Sequence, residues 1–178
     1  MNYQHLIDQY YAPDTTLREI LLQHSQAVTM RALTIAKAHP ELKIDCQFVE
    51  EAAMLHDIGI VFCHAPSIHC YGTEPYLCHG RIGAELLRQH NWPKHARVCE
   101  RHTGAGLTKK DIEQQALPLP QQDFLPETNE EKLICYADKF YSKTHLDREK
   151  TLEQVIGSLS KFGPDGVSRF LQWHETFQ

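Results

Sequence analysis

From Thr16 onward, apolar residues recur at steps of three and four. That is the period of a helix with one buried face, and runs of period two are scarcely visible. A short segment over 3–10 stops at Pro13. A long helix then opens at Thr16, with Glu19 completing a capping box, and carries Ile20, His24, Ala27, Val28, Arg31 and Ile35 towards Pro40. Asp45 caps the next, whose stripe Val49, Ala52, Ala53, His56 ends at Gly59. His79, Ile82, Gly83, Leu86, Leu87 and His90 share one side of another helix. Pro93 opens one with His95, Cys99 and His102. Thr108 with Asp111 and Thr128 with Glu131 start two more, the second holding Leu133, Ile134, Ala137, Asp138 and Tyr141. Amphipathic segments over 152–162 and from Pro164 onward close the chain. The expected fold is all-α, a single-domain helical bundle over 1–178. Its core covers about 16–146, and 147–178 form a helical extension packed on that core. Trp173 and Phe177, four apart, offer either an internal contact or a homodimer face.

Two stretches break the period. Residues 60–78 hold two prolines and a glycine, and 117–127 are rich in proline, so both read as loops. The first is long for a compact domain and carries aromatic and histidine side chains, which points to a functional loop. Cys63-His64 and His69-Cys70 do not have the spacing of a zinc finger and read as pocket-lining residues.

The chain has 178 residues and a net charge of −5, with 18 basic and 23 acidic side chains. That balance gives no footprint for a nucleic-acid polymer. No apolar run reaches the length that spans a bilayer, and Met1 to His5 do not open like a signal peptide, so no membrane and a cytoplasmic location are expected. The six cysteines form no Cys-x-x-Cys and read as reduced thiols, several on apolar stripes.

His24, His56, Asp57, His79, His102 and Asp138 fall on or beside buried stripes of separate helices. Imidazole and carboxylate are ligands for divalent metals, and six exceed what one tetrahedral zinc takes. They suit two metals, with Asp57 as the natural bridge beside His56. Two such ions, about 3.5–4 Å apart, can clamp a phosphoryl group and activate a bridging water. Iron or manganese is favoured; zinc, cobalt, nickel or magnesium would also be accepted.

The run Leu55-His56-Asp57-Ile58-Gly59 resembles the motif of HD-domain metal-dependent phosphohydrolases of the HDIG subtype, and the full order H…HD…H…H…D resembles their dinuclear branch. His79-Gly80-Arg81-Ile82-Gly83-Ala84, Arg101-His102-Thr103-Gly104 and Tyr136-Ala137-Asp138-Lys139 are similar to HD-type diadenosine tetraphosphate hydrolases. Those hydrolases usually carry a lysine shortly after the His-Asp pair; here Ile58-Gly59-Ile60-Val61 holds none. The resemblance runs from about His24 to Lys143. It implies an all-α bundle with central metals that cleaves a small phosphate ester or nucleotide with a metal-bridging hydroxide. It also admits a di-iron oxygenase, or a non-catalytic nucleotide-binding module. Asp57, Arg81 and Lys139 are the expected catalytic residues. Arg31, Arg81, Lys139 and Lys143 are the basic groups expected to hold the substrate phosphate.

Overall fold

In the computed structural model, which describes residues 2–13 and 15–178, helices dominate and the sheet is small. The order is α1 (Tyr3–Tyr10), α2 (Thr16–Ala38), α3 (Cys46–Leu55), α4 (His79–Gln89), α5 (Pro93–Arg101), α6 (Lys109–Gln114), α7 (Asn129–Asp138), α8 (Leu152–Leu159) and α9 (Pro164–Phe177). No helix among the described residues is long and apolar enough to cross a membrane.

The caps explain where most helices begin. Asp45 accepts from the Phe48 amide at α3, and full capping boxes stand at Thr108/Asp111 and Thr128/Glu131. At α2 the cap is one residue earlier than the sequence indicates. Thr15, not Thr16, has extended backbone and accepts from the Arg18 amide, so Glu19 lies in the first turn without closing a box. The two threonines are adjacent, and only backbone geometry separates them. The segment 152–162 divides into α8 and a tight 3₁₀ turn over Ser160–Phe162.

The stretch 60–78 is more ordered than its broken period implies. A 3₁₀ turn over Ile58–Phe62 leads into β1 (Cys63–Ala65), which pairs antiparallel with β2 (Cys70–Tyr71) and parallel with β3 (Glu74–Pro75). Strands of two or three residues are too short for an alternating pattern to register.

Two apolar clusters hold the helices. In one, Leu6, Ile7 and Tyr11 beside α1 pack with Leu21, Leu55, Ile58, Leu87 and Ala96, so α1 belongs to the packed body. In the other, Val28 and Ala32 of α2, Ala53 of α3 and Leu133 and Tyr136 of α7 meet Val155, Phe170, Trp173 and Phe177 of the last two helices. Trp173 and Phe177 therefore point inward: Phe177 lies 5.5 Å from the Tyr136 ring, measured between centroids. All six cysteines are free, and only Cys46 is exposed.

Glycines allow the closest approach. A Cβ on Gly59 would sit 2.2 Å from the His79 carbonyl oxygen and 2.5 Å from the Gly83 nitrogen. One on Gly80 would sit 2.4 Å from the Cys99 carbonyl oxygen. Bare backbone at these points seats α4 against both the turn after Asp57 and the end of α5. That seating carries His79 and His102 to Asp57.

Candidate metal centre

The six side chains named from the sequence converge. His24 comes from mid-α2, His56 and Asp57 follow the last turn of α3, and His79 starts α4. His102 caps α5, and Asp138 ends α7. None is more than 7% exposed.

Asp57 divides them into two groups. Its Oδ2 lies 3.2 Å from His24 Nε2 and 3.0 Å from His56 Nε2. Its Oδ1 lies 3.3 Å from His79 Nε2 and 3.5 Å from His102 Nε2. Asp138 joins the first group, with Oδ1 3.0 Å from His24 Nε2 and 3.5 Å from His56 Nε2. The donor atoms of His24, His56, Asp57 and Asp138, and those of Asp57, His79 and His102, fall within 4.8 Å of one another in each set.

These residues fit a bound cation. Among the described residues, His24 Nε2, His56 Nε2 and Asp57 Oδ1 are fully buried yet satisfied by no hydrogen bond. Buried polar atoms are ordinarily paired; here they aim at shared points between them. Three imidazoles are also fixed from behind. Nδ1 lies 2.6 Å from the Ala53 carbonyl oxygen in His56, 2.6 Å from that of Tyr76 in His79 and 2.7 Å from that of Cys99 in His102. Donation there from Nδ1 leaves Nε2 with a lone pair that could bind a metal. His24 Nδ1 is buried without such a partner.

The electrostatics match. Burial pushes His79 down to about 3, with His102 and Lys143 adding to the effect against Asp57. Burial also lowers His102. Both imidazoles are therefore neutral at pH 7 and free to donate a lone pair. Asp57 is held well below the usual carboxylate range: burial opposes ionisation, but His56 and Lys143 overcome it. Asp138 is held down too, with Lys139 outweighing burial. Burial disfavours a charge on His56, yet Asp57 and Asp138 raise it to about 9. Two buried carboxylates thus attract positive charge to this point.

The basic groups separate. Lys139 Nζ lies 2.7 Å from Asp138 Oδ2 and donates to the His102 carbonyl oxygen at 2.8 Å. Lys143 Nζ lies 2.5 Å from Asp57 Oδ2. The run after the His-Asp pair holds no lysine, but Lys143, from a distant part of the chain, sets an ammonium group against Asp57. The structure does not bring the two arginines to the cluster. Arg81 pairs with Glu85 at 2.6 Å and lines a separate small crevice with Leu77, Glu100 and Phe124. Arg31 pairs with Glu149 and stacks 3.6 Å above the Phe140 ring.

A cavity of about 340 Å³ opens beside Asp138. Lys139 and Lys143 line it, as do Ala65, Ser67, Ile68 and Tyr76 of the 60–78 stretch. Cys63, His64, His69 and Cys70, read from the sequence as pocket-lining, are not among these residues; the loop over 117–127, through Leu119 and Phe124, lines the Arg81 crevice. His64 and His69 lie outside both donor sets among the described residues. The sequence reading missed Tyr76, stacked 4.7 Å from the His79 ring, and the whole wall supplied by Lys150, Val155, Ser158, Leu159 and Phe162. An aromatic three residues before a candidate ligand histidine was a usable signal for Tyr76; nothing local marked the wall.

A helical body with buried histidine and aspartate donors at its centre defines the class. The HD domain family model matches residues 21–142, more than half of the chain, and the protein belongs to that family. It is 33% identical over 159 residues to a tRNA (cytidine(56)-2'-O)-methyltransferase of Picrophilus torridus, covering 88% of this chain but only 41% of that protein. An uncharacterized protein of Methanocaldococcus jannaschii is 37% identical over 146 residues, covering 80% of this chain and 77% of the other. Among solved structures, the HD domain of the Listeria monocytogenes phosphodiesterase PgpH superposes with a TM-score of 0.55 at 19% identity, covering 92% of this chain and 88% of that one. That likeness bears on the fold.

Proposed function

We propose that the chain is a metal-dependent phosphohydrolase that cleaves a small phosphate ester or nucleotide, using two divalent ions. The observation that carries this reading is the division of Asp57, one oxygen towards each donor set, beside a lysine-lined cavity. His24, His56, Asp57 and Asp138 would hold one ion and Asp57, His79 and His102 the other. When bound, the pair would supply Lewis acidity to the phosphoryl oxygens and an acidified water. The remaining work falls to the chain. Lys139 and Lys143 are fixed within reach of the same end of the cavity and offset negative charge as it grows on the phosphoryl group. Burial of the donor set keeps bulk water away and strengthens every charge interaction there. Arg81 and Arg31 have no part in this reading, because each is engaged elsewhere. The methyl transfer named for the Picrophilus protein stays with that longer protein.

The test is metal analysis of freshly purified protein, then a panel of phosphomonoesters and nucleotides with manganese or iron. Phosphate release is expected, and Asp57→Ala should abolish both metal retention and turnover. Full metal retention in that variant would remove Asp57 as the bridge. Activity that consumes oxygen and stops without it would replace the hydrolase by an oxygenase.

A further inference from the structure

The family match ends at residue 142, but the cavity does not. Its outer wall comes from Lys143, Thr144, Lys150, and Val155, Ser158 and Leu159 of α8. α8 is therefore more than a cover for the core. Val155 and Leu159 are buried in the apolar cluster that α8 shares with α7 and α9, so the wall is fixed by the packing that holds the tail in place.

Lys150 is the informative member. Its backbone amide donates to the Phe140 carbonyl oxygen at 2.8 Å, which fixes the start of the side chain. Its ammonium group, half-buried, makes no ion pair or hydrogen bond among the described residues. Lys139 and Lys143, in the same cavity, are each held by a ligand carboxylate. Burial lowers Lys150, and Lys139, Lys143 and Lys161 add to that against Asp138. A cation partly withdrawn from water and repelled by three others is costly unless an anion meets it. Lys150 also borders a second cavity of about 380 Å³, with Arg148 and Lys161 on its rim. Among the described residues that rim's one carboxylate, Glu149, is taken by Arg31.

We propose that Lys150 is a second anion site of the substrate pocket, so that the substrate is a small phosphate ester carrying another phosphate or comparable anionic group. The scissile phosphoryl group lies at the Asp138 end with Lys139 and Lys143; this much rests on the phosphohydrolase reading. The second anionic group meets Lys150. The carbon skeleton between them lies against Ile68, Val155 and Leu159, the apolar part of the wall. Segments on both sides of the metal centre, one before α4 and one after α7, then decide which ester is accepted.

Calorimetry on the manganese-loaded protein tests this with three probes: adenosine 5'-monophosphate, adenosine 5'-diphosphate and adenosine 3',5'-bisphosphate. A second phosphate should tighten binding about tenfold for at least one doubly phosphorylated probe, the scale of one hydrogen bond to a charged group. Lys150→Gln should collapse that ratio towards one, and Lys150→Arg should restore most of it. Equal affinities for all three probes in the wild type, or a gain that survives in Lys150→Gln, would overturn the proposal. Phosphate release followed in the same samples separates the two readings. Turnover without a Lys150-dependent gain leaves the hydrolase and removes the second site. A Lys150-dependent gain without turnover of any ester keeps the second site and removes the hydrolase.

Discussion

Gly59 shows how one missing Cβ positions a whole site. Its nearest neighbours are backbone atoms of His79 and Gly83, which cannot rotate aside as a side chain would. Gly59→Ala should therefore force α4 outward. Overpacking of this kind typically costs about 1–3 kcal/mol, and two backbone obstacles put it near the upper end. A urea titration should show the loss, and metal content should fall with it because His79 moves from Asp57. Unchanged midpoint and metal content would mean that the close seating of α4 has no part in building the centre. Residue spacing also explains the misplaced arginines. Arg81 is two positions from His79, and helix residues two apart do not share a face. Arg31 does share a face with His24, but seven residues carry it about 10.5 Å along the axis, past the donors and onto Phe140.

At the level of elements, α7 depends on its first turn. Thr128 accepts from the Glu131 amide, and Glu131 returns to the Thr128 amide. The carboxylate of Glu131 is buried and also binds Arg97 at 2.7 Å. Thr128→Ala should cost about 1 kcal/mol, a fall in Tm of about 2–4 °C for a chain of this size. Calorimetric melting checks it; no change would mean that Glu131 and Arg97 hold the helix start unaided. Helices of this kind were legible because caps and apolar stripes are local signals. The six candidate ligands were legible for a related reason: each stands near a helix end or on a stripe whose buried side is already implied. The short strands between α3 and α4 were not, since three residues are too few to display a period. Nor was the wall of the cavity. Lys150 and Ser158 look like ordinary solvated positions until α8 is folded back to border the cavity, and that is a matter of long-range packing.

For the whole molecule, the centre is a concentration of unfavourable burial. Asp57 and Asp138 ionised in the interior, with imidazole nitrogens satisfied by nothing, are a cost the rest of the fold must carry. Apolar packing from α1 through α9 carries it: Tyr11, Leu55, Tyr136 and Phe170 are all essentially inaccessible. A bound divalent ion would turn this cost into stabilisation, because it binds donors that only the folded chain assembles. Metal at a hundredfold over its Kd should add about 2.7 kcal/mol, or roughly 5–10 °C in Tm at this size. Scanning calorimetry of manganese-loaded and chelator-treated protein measures the difference, and Asp57→Ala should erase it by removing the ligand common to both sets. A melting temperature indifferent to metal in the wild type would show that the four imidazoles and two carboxylates are a structural polar core and hold no ion.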